Sequence, residues 1–376
     1  MSAAHHAPGP NARDRGESDE TVPCYGALDL GTNNCRLLIA TPQGRGFRIV
    51  EAYSRIVRLG EGLGASGRLS DQAMDRALAA LKVSAEKVRR RKVIKLKAIA
   101  TQACRSAENG EAFIRRVAEE TGLGLQIITP KEEAQLSVAG CLNLLDKSAD
   151  AALVVDVGGG STELSWVDLT AKGLNGDIGR FSTAGLPIRA WISIPLGVVT
   201  LAEAFPEGEV ATMAWFRAMV DRVKLELASF RKADLMRPIF DADRAHLIGT
   251  SGAITSLAGM HLGLQRYDRA RVDGLWMTRD ECDAAADLLL NLSATQRGEQ
   301  PCIGPDRADL VIAGAAILQA VQEIWPCSRV RVADRGLREG MLMALMSEAQ
   351  APKRRRRRGR RIRRPEAVAA IGSSHE

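Results

Sequence analysis

The chain has 376 residues, 45% hydrophobic but only 4% aromatic, and a formal net charge of +7. That length suffices for two domains with a sizeable core, and so few aromatic residues disfavour a nucleic-acid reader built on base stacking. The basic excess belongs to one segment: Lys353–Arg364 holds ten of the 52 Lys and Arg, leaving 42 against 45 acidic residues elsewhere, a charge of −3.

In chain order, residues 1–22 are rich in Ala, Pro, Gly, Asn, Asp and Glu without hydrophobic period, the composition of a disordered leader. A first strand, Tyr25-Gly26-Ala27-Leu28, runs into Asp29, one aliphatic residue and Gly31-Thr32-Asn33-Asn34. A carboxylate at a strand end, followed by a glycine turn with small polar donors, brings backbone N–H groups to an anion. Phe47–Ala52 continues the sheet, and the glycine-rich stretch Leu59–Arg68 predicts a mobile loop beside the cleft. Ser70 caps a helix whose apolar positions are Ala73, Met74, Ala77, Leu78 and Leu81. A strand over Lys95–Ala100 then leads to Thr101 and Arg105. An Arg just past a strand end clamps phosphate oxygens with two parallel donors, or else sits on the surface of the next helix.

Two adjacent carboxylates are told apart by helix chemistry. Thr129 suits an N-cap, Pro130 the first helical position, and Glu132 falls three residues after the cap, which makes a capping box. Glu132 folds back onto the cap and Glu133 is left to project elsewhere, as a candidate general base kept ionised by the helix N-terminus.

The stretch Ala152–Glu163 repeats the first plan about 130 residues later. A β-branched run reads as a strand buried on both faces, ending in Asp156, then Gly158-Gly159-Gly160-Ser161-Thr162. These residues suit a phosphate loop with Asp156 placed to hold hydrated Mg2+, and they equally make a glycine-rich hairpin turn. Glu163 opens the following strand, either orienting water or metal or standing exposed. A third stretch, His246–Thr255, again ends a strand in glycines and hydroxyls: Gly249, Ser251 and Gly252 join Gly31, Thr32, Asn33, Gly158, Gly159, Gly160 and Ser161 as candidate phosphate contacts. Residues 170–183 read as a variable hairpin, Ile192–Gly197 as a strand ending over the cleft, 210–231 and 279–293 as helices, and Arg297–Asp309 as a loop. Leu310–Ile317 reads as a buried helix and Arg329–Asp334 as the last strand, with Gly336 opening a final helix expected to pack on the first lobe.

Three such loops around one cleft resemble the actin, sugar kinase and Hsp70 superfamily. Within it the motifs Asp29–Arg36, Thr101–Asn109, Lys131–Ala134, Asp156–Glu163, Pro195–Gly197, Gly249–Gly252 and Gly336–Gly340 resemble the exopolyphosphatase and guanosine pentaphosphate phosphohydrolase (Ppx/GppA) family. The first loop departs from the usual family pattern Gly-Ser-Asn-Ser, reading Gly31-Thr32-Asn33-Asn34. The fold implied is α/β: two actin-like, ribonuclease H-like lobes with an interdomain cleft. The organisation expected is a leader over 1–22, a first lobe over 23–130 completed by a helix at 335–348, a second lobe over 131–334, and a disordered Arg-rich tail over 349–376.

The resemblance implies a phosphoanhydride hydrolase. Its catalytic residues would be Glu133, Asp156, Glu163 and Arg105, and its metal site Asp156 with Asp29 and Glu163. The cofactor expected is Mg2+, with Mn2+ or K+ as further candidates. Expected substrates are inorganic polyphosphate or guanosine pentaphosphate, with a kinase-like ATPase and a noncatalytic guanosine tetra- or pentaphosphate sensor as the competing classes. The Arg-rich tail suits a polyanion or RNA contact, and related proteins suggest a homodimer. Seven cysteines without a C-x-x-C pair suit reduced thiols, and no apolar run reaches about 18 residues, so the expectation is a cytoplasmic protein with no membrane partner.

Overall fold

A computed structural model of the protein describes residues 22–171 and 183–350. Almost all of the expected leader, most of the expected 170–183 hairpin and the Arg-rich tail lie outside the described residues.

The first sheet contains β1 (Tyr25–Leu30), β2 (Asn34–Gln43), β3 (Gly46–Ile56), β4 (Lys95–Ala100) and β5 (Gln126–Ile127), in spatial order β3-β2-β1-β4-β5. The second contains β6 (Ala151–Val157), β7 (Thr162–Asp168), β8 (Ile188–Ile194), β9 (Ala245–Thr250), β10 (Trp276–Thr278) and β11 (Arg329–Ala333), in order β10-β11-β9-β6-β7-β8. Each sheet starts with a three-stranded antiparallel meander, and its first strand also pairs in parallel with a later one: β1 with β4, β6 with β9. The two lobes are thus one plan used twice, with β10 added at an edge. The fold is a two-lobed actin-like α/β architecture.

Central strands are apolar along their length because helices cover both faces. Along β6 only Asp156 escapes full burial. The larger core, in the second lobe, packs Leu153, Val155 and Trp166 against the helices Met213–Leu227 and Val311–Ile324. The first-lobe core packs Leu28, Leu30 and Leu37 against the helix Asp71–Arg90, whose Ser70 cap accepts from the Ala73 N–H at 3.3 Å.

Two helices cross where the lobes join. Pro130–Cys141 and Leu337–Gln350 share apolar clusters with the first sheet through Leu136, Leu342 and Met346, and with the second through Val138, Ala139 and Met343. Glycines set how closely they approach: a Cβ on Gly140 would stand 1.9 Å from the Gly336 carbonyl oxygen, and one on Gly340 2.0 Å from that of Leu136. The final helix therefore packs on the first sheet and on the Pro130 helix as well.

Two expected loops carry structure. Leu59–Arg68 contains a short helix, Leu63–Ser66, and reaches the other lobe: the Gly62 N–H donates to Glu203 at 3.0 Å, and Arg58 grips Asp309 with two hydrogen bonds of 3.0 and 3.1 Å. Arg297–Asp309 begins in a helix, Ala294–Glu299, started by a Ser293/Gln296 capping box, and includes a 3-10 turn at Pro305–Arg307. Fully buried Arg297 anchors this segment by donating to the carbonyls of Ala308 (3.0 Å) and Leu292 (2.7 Å) and pairing with Glu207. A buried guanidinium needs such partners, and the partners fix the chain around it.

Candidate active site

The turns of the two leading hairpins face each other across a cavity of about 320 Å³. They close in the same way: the Gly31 N–H donates to the Asn34 carbonyl, and the Gly158 N–H to that of Ser161, both at 2.9 Å. The glycines permit near contact between lobes. A Cβ on Gly159 would lie 3.0 Å from the Asn33 nitrogen, and one on Gly160 2.7 Å from Thr32 Oγ1. The Pro195–Gly197 motif supports the second turn, since the Val198 and Val199 N–H groups donate to the carbonyls of Gly158 (2.9 Å) and Gly159 (2.8 Å). In a planar trans peptide the N–H opposes its carbonyl, so the Gly159 and Gly160 N–H groups point away from that helix.

Four carboxylates converge here. Asp29 and Asp156 end equivalent strands, Glu163 sits opposite Asp156 in the β6–β7 ladder, and Glu133 enters from the Pro130 helix. The capping box forms as expected: Thr129 and Glu132 exchange bonds of 3.1 and 3.2 Å, leaving Glu132 exposed while Glu133 is only 7% exposed. Burial raises all four proton affinities. It pushes Asp29 up to about 6 against the pull of Arg36 and Arg338, and Glu163 up to about 7 with help from the Asp156 charge. Asp156 is raised too, held back by its hydrogen bond from Ser137. Glu133 is raised well above the ordinary range, by burial and then by Glu163, against Arg105, so the helix N-terminus does not keep it ionised as the sequence suggested: burial among other acids outweighs the helix end.

Two sites predicted from sequence land elsewhere. Arg105 does not line the cavity: its guanidinium donates to the Ile128 carbonyl (2.7 Å), to Gln102 Oε1 (2.7 and 3.2 Å) and to Glu133 Oε2 (3.1 Å). It braces Glu133 from behind, because the turn after β4 carries it past the cleft wall. Gly249 lies inside β9, with Ile254 Cγ2 2.9 Å from where its Cβ would stand, and its neighbour Thr250 lines the cavity instead. The other phosphate-contact candidates, Gly31, Thr32, Asn33, Gly158, Gly159, Gly160, Ser161, Ser251 and Gly252, all line it.

Sequence reasoning missed the cations at the far end. Arg36, Arg307 and Arg338 line the cavity, with Arg307 Nη1 and Arg36 Nη2 converging within 3.6 and 3.8 Å of a Cβ placed on Gly252. Arg36 stands opposite Asp29 in the β1–β2 register, so the hairpin alone contained a signal for it. Arg307 and Arg338, distant in sequence, carried none. The one aromatic side chain among the described residues lining the cavity, Tyr267, donates to Asp334 at 2.8 Å.

The acids fit a divalent cation in the manner of Mg2+. Among the described residues no three or more His, Cys, Asp or Glu gather closely enough to hold an ion by themselves. Mg2+ does not require that, since it commonly takes one or two carboxylates and completes its shell with water and phosphate oxygens. Asp29 Oδ1, Thr32 Oγ1 and Asn33 Oδ1 are buried here without a hydrogen-bond partner, and such hard oxygen atoms need a donor or a cation.

Paired strand-loop-strand turns, joined by crossing helices and lined with carboxylates and arginines, define a phosphate-handling protein of the actin-like class. The Ppx/GppA phosphatase family model matches residues 38–349, and the chain belongs to that family. It is similar to the solved structure of the Aquifex aeolicus family member, at 27% identity and TM-score 0.69 over 87% of this chain and 99% of that one. An exopolyphosphatase-like protein matches at 26% identity and TM-score 0.73, over 87% and 99%. An exopolyphosphatase from Cytophaga hutchinsonii shares the fold at 22% identity and TM-score 0.74, over 86% and 98%. No helix among the described residues is long and apolar enough to cross a membrane.

Proposed function

We propose that this protein releases terminal orthophosphate from inorganic polyphosphate. The observation that carries the reading is the polarity of the cleft. Glu133 is crowded by Glu163, Asp156 and Asp29 and pulled on by Arg105, whereas Arg36 and Arg338 act on Asp29, so the base and these arginines act on the acids of the turns from different neighbours. In-line displacement needs such a separation: a base for water on one side, anion-binding turns at the centre, and cations for the departing phosphate chain on the other.

The Gly159 and Gly160 N–H groups and the Thr32–Asn33 turn receive the terminal phosphoryl oxygens. Glu133 accepts the proton of the attacking water, oriented by Arg105, while Arg36, Arg307 and Arg338 hold the remaining chain. Asp156, Asp29 and Glu163 would hold Mg2+, which when bound supplies charge neutralisation on the phosphoryl oxygens.

A second reading, a guanosine pentaphosphate phosphohydrolase, draws on Tyr267 and Asp334 at the arginine end, where an aromatic face and a carboxylate suit a nucleoside. Orthophosphate release by purified protein with Mg2+, measured in parallel on long polyphosphate and guanosine pentaphosphate, separates the two by kcat/KM. Substituting Glu133→Gln is expected to abolish turnover on either while sparing binding. Turnover within about tenfold of wild type would remove Glu133 as the base.

A further inference from the structure

Behind the carboxylate end of the cleft lies a second groove, of about 840 Å³, lined by Lys131, Arg189, Trp191, Lys232 and their neighbours, with no carboxylate among the described residues of its lining. Arg189 is paired with Asp168 at 2.9 Å, while Lys131 and Lys232 are exposed. The two spaces share one wall. Gln102 lines both, and its Cγ would stand 3.1 Å from a Cβ on Gly160. The groove residue Ser193 donates to Glu163 of the cleft at 2.7 Å, and Ala134, next to Glu133, also faces the groove. The Gln102 amide is held in place by Arg105, at 2.7 and 3.2 Å, and by Ser106, at 2.8 Å.

The direction of the reaction gives this arrangement a use. In an in-line displacement the phosphorus breaks its bond to the bridging oxygen of the chain, forms one to the water oxygen, and moves toward the nucleophile. The water proton passes to Glu133 and the chain keeps the bridging oxygen as its new terminal oxyanion. Orthophosphate is therefore produced on the Glu133 side, against Gln102, while the shortened chain still fills the arginine side.

We propose that the basic groove behind Gln102 is a subsite for the orthophosphate product and its exit route, with Gln102 as the partition. Product leaves past Gln102 toward Lys131 and Lys232 while the chain stays bound for another cleavage. This rests on the hydrolase reading above.

The test uses the full chain and a Lys131→Ala/Lys232→Ala variant, whose substituted side chains lie outside the catalytic cleft. Bond cleavage in a single turnover is followed by rapid quench, appearance of free phosphate by a fluorescent phosphate sensor, and product binding by inhibition with added inorganic phosphate. The expected result is unchanged cleavage, with phosphate release slowed and the inhibition constant for inorganic phosphate raised, each by several-fold to about tenfold. Gln102→Ala is expected to speed release, since it opens the wall. Normal cleavage with release and phosphate inhibition both unchanged in the lysine variant overturns the exit subsite alone. Absence of cleavage by wild-type protein overturns the hydrolase reading, and the subsite with it.

Discussion

Arg105 Nη1 stands 3.1 Å from Glu133 Oε2, and the same guanidinium holds the Ile128 carbonyl and the Gln102 amide. A buried carboxylate crowded by Glu163, Asp156 and Asp29 keeps one close positive neighbour, and that neighbour ties the segment after β4 to the segment after β5 and to the Pro130 helix. Arg105 thus holds the proposed base in position and partly offsets the rise in its proton affinity caused by burial and Glu163.

Removing it has a signed consequence. Arg105 lowers the proton affinity of Glu133, so Arg105→Ala raises it further. The acid limb of the pH profile of kcat/KM is expected to move to higher pH, with a lower plateau from lost positioning. Arg105→Lys restores the charge but not the fork of donors, and is expected to recover the pH profile more than the plateau. An acid limb that stays in place in Arg105→Ala would show that Glu133 is not the titrating group.

The acid cluster also shapes stability. Asp29 titrates at about 6 rather than 3.8, and Glu163 at about 7 rather than 4.5. Between those limits the folded state binds more protons than the unfolded one, so these groups lower stability as pH rises from about 4 to about 7. Glu51 and Glu323, held down to about 2 by their Lys and Arg partners, act oppositely and lose their contribution as pH falls below about 4.5. Metal-free protein is expected to have its highest Tm near about pH 5, and added Mg2+ to raise Tm more at pH 7.5 than at pH 5. Thermal scans across pH test this, and Asp29→Asn is expected to flatten the decline.

The helix crossing predicts a cost where helix propensity predicts a gain. Alanine in place of helical glycine is worth about 1 kcal/mol in propensity. At Gly340 the new methyl would meet the Leu136 carbonyl oxygen at 2.0 Å, a contact backbone cannot yield cheaply. Gly340→Ala is therefore expected to lose about 1–3 kcal/mol by denaturant unfolding and to impair turnover, because the crossing helices carry Glu133 and Arg338. Gly64→Ala, where nothing lies within 4 Å, is the neutral control.

Arg58 and Asp309 bridge the lobes at the surface, with side chains 34% and 49% exposed. An exposed pair contributes at most about 1 kcal/mol to stability. Arg58→Ala is expected to leave Tm within a few degrees of wild type and to raise KM, since the bridge holds the two lobes together. A KM unchanged at low salt would show that the bridge has no part in substrate binding.

Much of this protein was legible in the chain because the signals are local. Strand ends at Asp29 and Asp156, the turns after them, and the separation of Glu132 from Glu133 by a capping box all follow from neighbouring residues and backbone geometry, and their repetition gave the two-lobed plan. The helix at Ala294 was legible too, from its Ser293/Gln296 box, though Gly298 and Gly304 around it read as loop. Tertiary structure alone decided what lies across the cleft. Arg307 and Arg338 come more than 250 residues after Asp29 and have no spacing that marks them; the turn Pro305–Arg307 brings one to the cavity and the Leu337 helix the other. The direction of Arg105 was likewise undecidable from its own segment, because its partners Ile128 and Glu133 lie over 20 residues away and are brought to it only by β5 pairing beside β4. Local sequence dictates backbone turns and caps, whereas which charges face one another depends on which lobe surfaces the hinge brings together.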